Sequence, residues 1–367
     1  MPLATRTAGS KIIVGAHVSA AGGVHNSVLN SVHIGGNAFA LFLKSRAKWA
    51  NPPMDPDHCA QFLSNCKEHH YSAHEHVVPH ASYLINLANP AKDRATQAYD
   101  AFLDDLDRCH RLGIRLYNFH PGNCVASASM DEGISHIAAQ LNKAHADPSS
   151  GSVVTLLETM ATGGNTIGGT FEHLASVIDQ VKDKTRVGVC LDTCHVFAAG
   201  YDLRTPDAFT DTVTKFDQVI GLKYLHALHV NDSKAPFGSG RDLHARIGTG
   251  FLGLRAFWNL VNEPRLWGLP MVLETPIEVK DAGGKSTEDK GIWAREIKML
   301  ESLVGMDIES KEFKTLDAEL QAEGKSERER IQDQVDRKKA KDDKAKEAKT
   351  KKGRGKSKKK EESESGD

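Results

Sequence analysis

Apolar residues in this chain gather into eight short runs, and each run stops at a polar residue. The first four are Ile12-Ile13-Val14-Gly15-Ala16 before His17, Ala38-Phe39-Ala40-Leu41-Phe42-Leu43 before Lys44, Val77-Val78-Pro79 before His80, and Leu116-Tyr117-Asn118-Phe119 before His120. The others are Val153-Val154-Thr155-Leu156-Leu157 before Glu158, Val187-Gly188-Val189-Cys190-Leu191 before Asp192, Leu225-His226-Ala227-Leu228 before His229, and Pro270-Met271-Val272-Leu273 before Glu274. Near-continuous apolar runs mark parallel strands buried on both faces. Between them the period changes to three or four: Tyr99, Phe102, Leu103, Leu106 and Cys109 share a face, with Gly113 as a stop, and Phe171, Leu174, Ala175 and Ile178 repeat the pattern. Eight such alternations predict an α/β fold, a (β/α)8 TIM barrel with its functional residues at the carboxyl ends of the strands. The barrel is expected over residues 11–304, behind a short lead at 1–10.

After about Gly305 charged residues dominate and large apolar ones nearly vanish, so residues 305–367 read as a lysine-rich tail, disordered after about Asp336. Residues 337–360 contain 14 Lys/Arg against Asp342, Asp343 and Glu347, a local balance of +11 that leaves −12 for the rest of a chain whose total is −1. The neutral total therefore hides an acidic body and a basic C-terminal tail. Such a tail is expected to engage the nuclear import machinery and to have weak affinity for DNA; solvated ballast is the plain alternative. A nuclear location follows, with mitochondrial delivery left open by the short lead. No apolar stretch approaches the roughly 18 residues of a membrane span, and no membrane partner is expected. The six cysteines form no CxxC pair and read as reduced thiols of an intracellular protein.

The run endings carry the chemistry. His80, His120, Glu158, Asp192, His229 and Glu274 are all metal-ligand types, and a ring of them at one barrel mouth would be costly unless something binds there. Asp192-Thr193-Cys194-His195 spaces a carboxylate and an imidazole by three, which puts them on one side of a helical turn. Asp242-Leu243-His244 spaces a second pair by two, which puts them on one side of an extended loop. Nine candidates exceed the roughly four ligands of one zinc ion. Imidazole with carboxylate suits zinc, with manganese or iron as alternatives; three ions sharing a bridging carboxylate would use all nine. Each residue alone is more simply a hydrogen-bonded structural group; the joint placement argues otherwise. His69, His70, His74 and His76 are read as polar surface, His226 as pointing away from the His229 side, and His17 as a neighbour of the ligands rather than one of them.

Five segments match a known family in order. Gly15-Ala16-His17-Val18-Ser19-Ala20-Ala21-Gly22-Gly23, Pro79-His80-Ala81-Ser82-Tyr83-Leu84-Ile85-Asn86-Leu87, Asn118-Phe119-His120-Pro121-Gly122, Asp192-Thr193-Cys194-His195 through Asp202, and His229-Val230-Asn231-Asp232-Ser233-Lys234 resemble the signatures of the endonuclease IV family of apurinic/apyrimidinic endonucleases. The charged extension resembles the fungal branch. The resemblance implies a zinc-dependent DNA repair enzyme that cuts 5′ to an abasic site, leaves a 3′-hydroxyl and clears blocked 3′ ends of double-stranded DNA in base excision repair. It implies three Zn2+ per chain: His80, His120 and Glu158 on the first, Glu158 bridging to a second with Asp192, His229 and Glu274, and His195, Asp242 and His244 on the third. Glu158 and Glu274 are the expected catalytic residues, with Glu274 orienting the attacking water. Tyr83 and Leu84 match the pair that fills the gap at an extruded abasic sugar. Where the family often has arginine two residues before the tryptophan of the second loop, this chain has Ala47, so Arg46 is the candidate DNA contact. Where the family usually reads Asn-Thr-Ala-Gly after the bridging glutamate, this chain reads Thr159-Met160-Ala161-Thr162.

Two other readings compete. A sugar isomerase or epimerase barrel would leave His195, Asp242, His244, Tyr83 and Leu84 without a purpose. A damaged-DNA binding protein without turnover would be expected to have lost some of the nine ligands. A monomeric enzyme is the expectation.

Overall fold

The computed structural model describes residues 1–125, 129–281 and 283–364, with side chains described as far as Lys341. Its strands are β1 (Ile13–His17), β2 (Ala38–Ala40), β3 (Leu116–Phe119), β4 (Val154–Glu158), β5 (Val187–Asp192), β6 (Leu225–His229), the hairpin partners β7 (Asp232–Ser233) and β8 (His244–Ala245), β9 (Pro270–Leu273), and a second hairpin of β10 (Glu278–Lys280) and β11 (Ser286–Glu288). Seven of them form one parallel sheet in the order β2-β1-β9-β6-β5-β4-β3. The helices are α1 (His25–His33), α2 (Pro56–Glu68), the single turn α3 (Ala73–His76), α4 (Lys92–Arg111), α5 (Met130–Ala146), α6 (Phe171–Gln180), α7 (Thr193–Ala199), α8 (Pro206–Val219), α9 (Gly253–Val261), α10 (Gly291–Leu303) and α11 (Lys311–Glu364).

The run Val77-Val78-Pro79 closes the barrel between β2 and β3 without forming a regular ladder. Val78 N donates to Phe39 O and His80 N to Leu41 O, each at 3.0 Å, while Asn118 N donates to Pro79 O at 2.9 Å. Pro79 has no N–H of its own to give, which limits this eighth strand to isolated bridges. With it the eightfold (β/α) barrel is complete. At Gly15 the two neighbouring strands come so close that a Cβ would fall 1.6 Å from Ala38 O.

Alternation along the strands sets the site. Val78, Leu116, Val154, Leu156, Cys190 and Ala227 form an apolar cluster inside the barrel. Two residues further toward the carboxyl ends on the same faces come His80, Asn118, Leu156 itself, Glu158, Asp192 and His229, so the lumen changes from apolar to polar at its top. The opposite faces pack under the helices: α4 buries Tyr99, Phe102, Leu106 and Cys109 as the period predicted, and Gly113 follows with φ of 67°. Ser129 and Glu132 cap α5 reciprocally, which fixes where that helix begins. Lys44 turns away from the lumen, donating to Asp104 at 2.8 Å.

The boundary expected at 304 coincides with the end of α10, but the chain then docks again. Phe313 and Ile331 of α11 are buried against the body. From Gln332 to Lys341 no residue is buried, in line with the expected lack of apolar anchoring there. The helical backbone nonetheless continues to Glu364, as a sequence rich in Lys, Glu, Ala and Arg favours. The disorder expected after Asp336 concerns mainly side chains outside the described ones. Among the described residues no helix is long and apolar enough to cross a membrane, and all six cysteines are free thiols.

Candidate metal centre

All nine predicted ligands lie at the carboxyl end of the barrel. Their donor atoms converge in overlapping groups: His80, His120 and Glu158; Glu158, Asp192, His229 and Glu274; Asp192, His195 and His244; and Cys194, Asp242 and His244. Glu158 belongs to the first two, as a bridging carboxylate would. The local chain explains the rest. Asp192 caps α7 by accepting from His195 N at 2.8 Å, so the turn is helical and His195 folds back over the site. Asp242 and His244 come in on the β7–β8 hairpin, whose base is held by Asp232. That buried carboxylate accepts from Ser233 N, Gly250 N and Leu252 N at 2.6 to 3.0 Å.

Donor spacing is compatible with ligation. His80 Nε2 and Glu158 Oε2 are 3.1 Å apart, His120 Nε2 and Glu158 Oε2 3.5 Å, and His229 Nδ1 lies 3.2 Å from both Glu158 Oε1 and Glu274 Oε2. His195 Nε2 and His244 Nε2 each lie 3.1 Å from one oxygen of Asp242. Two ligands about 2.1 Å from one tetrahedral ion stand roughly 3.3 Å apart, so these spacings fit shared ions. The ring nitrogens His195 Nε2 and His244 Nε2 are buried, yet neither makes a hydrogen bond of proper geometry among the described residues. The donor set therefore fits metal ions better than it fits a self-contained hydrogen-bond network.

The imidazoles are oriented from behind. His80 Nδ1 lies 2.7 Å from Ala81 O and His195 Nδ1 2.8 Å from Thr159 O; each donates its proton to the carbonyl and leaves Nε2 facing the site. Thr159, where the family usually has asparagine, also accepts from Asp192 N through its hydroxyl at 2.9 Å, so the altered loop still supports the ligands. Three supporting residues escaped or half-escaped the sequence reading. Asn118 donates to Glu158 Oε2 at 2.5 Å, Asn231 donates to Asp192 Oδ2 at 2.7 Å while accepting from Glu274 N, and His17 lies 3.0 Å from Glu274 Oε1. Asn118 and Asn231 each sit two residues from a ligand on the same face, a signal that was available. His226 faces outward toward Gly188, as expected, and His69, His70, His74 and His76 join no ligand group among the described residues.

The electrostatics call for positive charge. Glu158, Asp192 and His229 are fully buried. Burial alone would raise the Glu158 carboxyl, but His229 and His120 opposite hold it well below the usual carboxylate range. Glu274 is likewise held well down, against burial, mainly by His229 and His17. Burial pushes Asp192 up. The imidazoles of His195 and His229 are held well above their ordinary value despite burial: Asp192 raises His195, and Cys190 and Glu274 raise His229. Burial takes His120 down to about 4, leaving the neutral form a metal requires. Cys194, not among the predicted ligands, is pushed up by burial to about 12 and stays a thiol by the third group.

Tyr83 and Leu84 stand at the rim, 54% and 36% exposed, with the Tyr83 ring 5.4 Å from that of His120 and 5.3 Å from that of His80. Arg46 is exposed beside them, its guanidinium 5.8 Å from the Phe42 ring and its carbonyl bound by Ser82 Oγ. The other exposed aromatic, Phe237, lies on the β7–β8 hairpin and was not singled out in the sequence.

A parallel barrel with converging His/Asp/Glu donors at its mouth and exposed side chains on the rim defines a metal-dependent enzyme class of the xylose isomerase-like barrels. The family described as a xylose isomerase-like TIM barrel matches residues 29–303. Apurinic-apyrimidinic endonuclease 1 of Saccharomyces cerevisiae is 44% identical over 302 residues, covering 82% of this chain and 79% of that protein. Probable endonuclease 4 of Campylobacter concisus is 43% identical, covering 79% and 97%. The chain spans only 55% and 47% of two relatives from Plasmodium berghei and Plasmodium falciparum, each called apurinic-apyrimidinic endonuclease 1. Among solved structures, endonuclease IV from Thermus thermophilus superposes with a TM-score of 0.65 at 28% identity, covering 79% of this chain and 98% of that one. A D-tagatose 3-epimerase-like protein shares the fold alone, at 0.58 and 14%. The chain belongs to the endonuclease IV family of apurinic/apyrimidinic endonucleases.

Removing one donor tests the convergence. His120→Ala should lower bound metal by about one ion per chain, since a site of three donors loses one of them, and leave the far-ultraviolet circular dichroism unchanged. Unaltered metal content by elemental analysis removes His120 from the set.

Proposed function

We propose that this chain hydrolyses the phosphodiester bond 5′ to abasic sites in double-stranded DNA, leaves a 3′-hydroxyl, and removes 3′-blocking groups in base excision repair. The observation that carries this reading is the convergence of nine donors at the barrel mouth, with the exposed Tyr83 ring beside His80 and His120 and Leu84 next to it on the rim. The donor chemistry points to three zinc ions: His80, His120 and Glu158 for the first, Glu158, Asp192, His229 and Glu274 for the second, and His195, Asp242 and His244 for the third. Bound there, zinc supplies an attacking hydroxide near neutral pH and neutralises charge on the phosphate and the departing oxygen.

The chain's own residues do the positioning. Glu158 ties the first two donor sets together. Glu274, anchored by His17 and by Asn231, aims its carboxylate into the lumen where it orients the attacking water. Asp242 and His244, on the β7–β8 hairpin, would hold with His195 the ion that stabilises the leaving oxygen. An abasic sugar has lost its stacking and pairing, so turning it out of the helix costs less than flipping an intact nucleotide. Tyr83 and Leu84 fill the gap it leaves, and Arg46 contacts the backbone nearby. Full-length chain given a duplex with one abasic-site analogue should cut on the 5′ side. Tyr83→Ala should lower that rate by about tenfold or more, a few kcal/mol of wedge energy at most, while removal of a 3′ phosphate from a recessed end falls much less. Equal losses on both substrates contradict the wedge.

The run at 337–360 is our candidate nuclear import address. Deletion after Asp336 should redistribute a fluorescent fusion out of the nucleus; persistent nuclear accumulation sinks that assignment.

A further inference from the structure

Helix α11 climbs the outside of the barrel from the amino ends of the strands to the catalytic rim. Near its start the chain is tied to the lower end of α9, where Trp258 Nε1 donates to Met306 O at 2.7 Å and Asn262 Nδ2 to Leu303 O at 2.9 Å. Higher up it meets the loop after β8: Gln321 Nε2 donates to Gly248 O at 2.8 Å and Gly250 O at 3.1 Å, and Arg328 Nη1 to Thr249 O at 2.5 Å. Gly324 makes this approach possible, because a Cβ there would fall 1.8 Å from Thr249 O. Arg246 and Glu323 add an ion pair at 3.5 Å. Higher still, Arg241 Nη1 donates to Gln334 Oε1 at 3.4 Å, and Arg241 directly precedes the candidate ligand Asp242. The helix is thus pinned at the hairpin of the third donor set.

Its charge changes sign at that height. Between Lys311 and Asp336 acids outnumber bases; Arg337, Lys338, Lys339 and Lys341 then follow with no acid among them, and all four are exposed. At 1.5 Å per residue they lie about 5 to 10 Å beyond Gln334 along the axis. Residues 1–336 carry a net −8 before any metal is bound, so the body as a whole offers a duplex little attraction. We propose that these cationic turns of α11 are a docking surface for the phosphate backbone of the duplex on one side of the lesion. The proposal rests on the function argued above. A duplex presents one phosphate per 3.4 Å of each strand, so about 6 Å of basic helix, with long side chains reaching beyond both ends, can meet about two to four.

The test compares the full-length chain with R337Q/K338Q/K339Q/K341Q, in which glutamine keeps helix propensity. Equilibrium binding to a duplex with one abasic-site analogue is followed from 50 to 300 mM KCl. Each lost phosphate contact should flatten the slope of log affinity against log salt by about 0.9, so a total of about 2 to 4 is expected. Shortening the duplex on one side of the lesion should weaken the full-length chain in the same way and the variant little. Replacing the three lysines by arginine should restore the slope. Equal slopes for the two proteins, or equal sensitivity to both duplex arms, overturn the docking surface. The preference for abasic over intact duplex reports the proposed function separately: its loss in both proteins would sink that function, while the slope difference still decides the arm.

Discussion

Everything at the mouth of this barrel depends on one electrostatic debt: carboxylates with no access to water, facing imidazoles with no better partner. Asp242 joins from the hairpin with its side chain 47% exposed, whereas Glu274 is only 13% exposed and Glu158 and Asp192 are fully buried. Charges in such a place cost several kcal/mol each unless they are matched. Asp192 holds His195 above its ordinary value, and Cys190 and Glu274 do the same for His229, while the spacing of the donors suits cations lying between them. Asn118, Asn231, Thr159 and His17 hydrogen-bond to the donors and fix their orientation.

The same charge raises a problem for a protein proposed to bind DNA. Nine ligands, four of them acidic, sit in a body (residues 1–336) of net −8 that must receive a polyanion. Ions at the centre neutralise the reacting phosphate but not its neighbours. On this view the exposed Arg46 and the basic turns of α11 supply, at separate loops of the mouth, the attraction that the body lacks.

Much of this was legible in the sequence because a barrel repeats one rule eight times. Apolar runs named the strands, and the residues ending them named six ligands. The offsets in Asp192–His195 and Asp242–His244 named the other three, once the first was taken as helical and the second as extended. What stayed hidden depends on contacts between distant parts of the chain. His17 and Glu274 meet across the closure of the barrel, 257 residues apart. The β7–β8 hairpin has strands of two residues, too short for any period to show, and owes its shape to Asp232. The docking of α11 turns on Gly324, which in a helix of lysines and glutamates reads only as a weak point until Thr249 O is seen against it. Asn118 and Asn231 were different: their period-two relation to His120 and His229 was visible and went unused.

A single trinuclear centre makes a demand that separate or adventitious ions do not. The chain would be stripped with a chelator and refilled with zinc in steps, with ions per chain and incision of an abasic duplex measured on the same samples. If attack, phosphate binding and departure use different ions, as proposed, incision should stay low through the first equivalents and appear as occupancy approaches about three ions per chain. Full incision by the stripped chain, or with one ion bound, would contradict it.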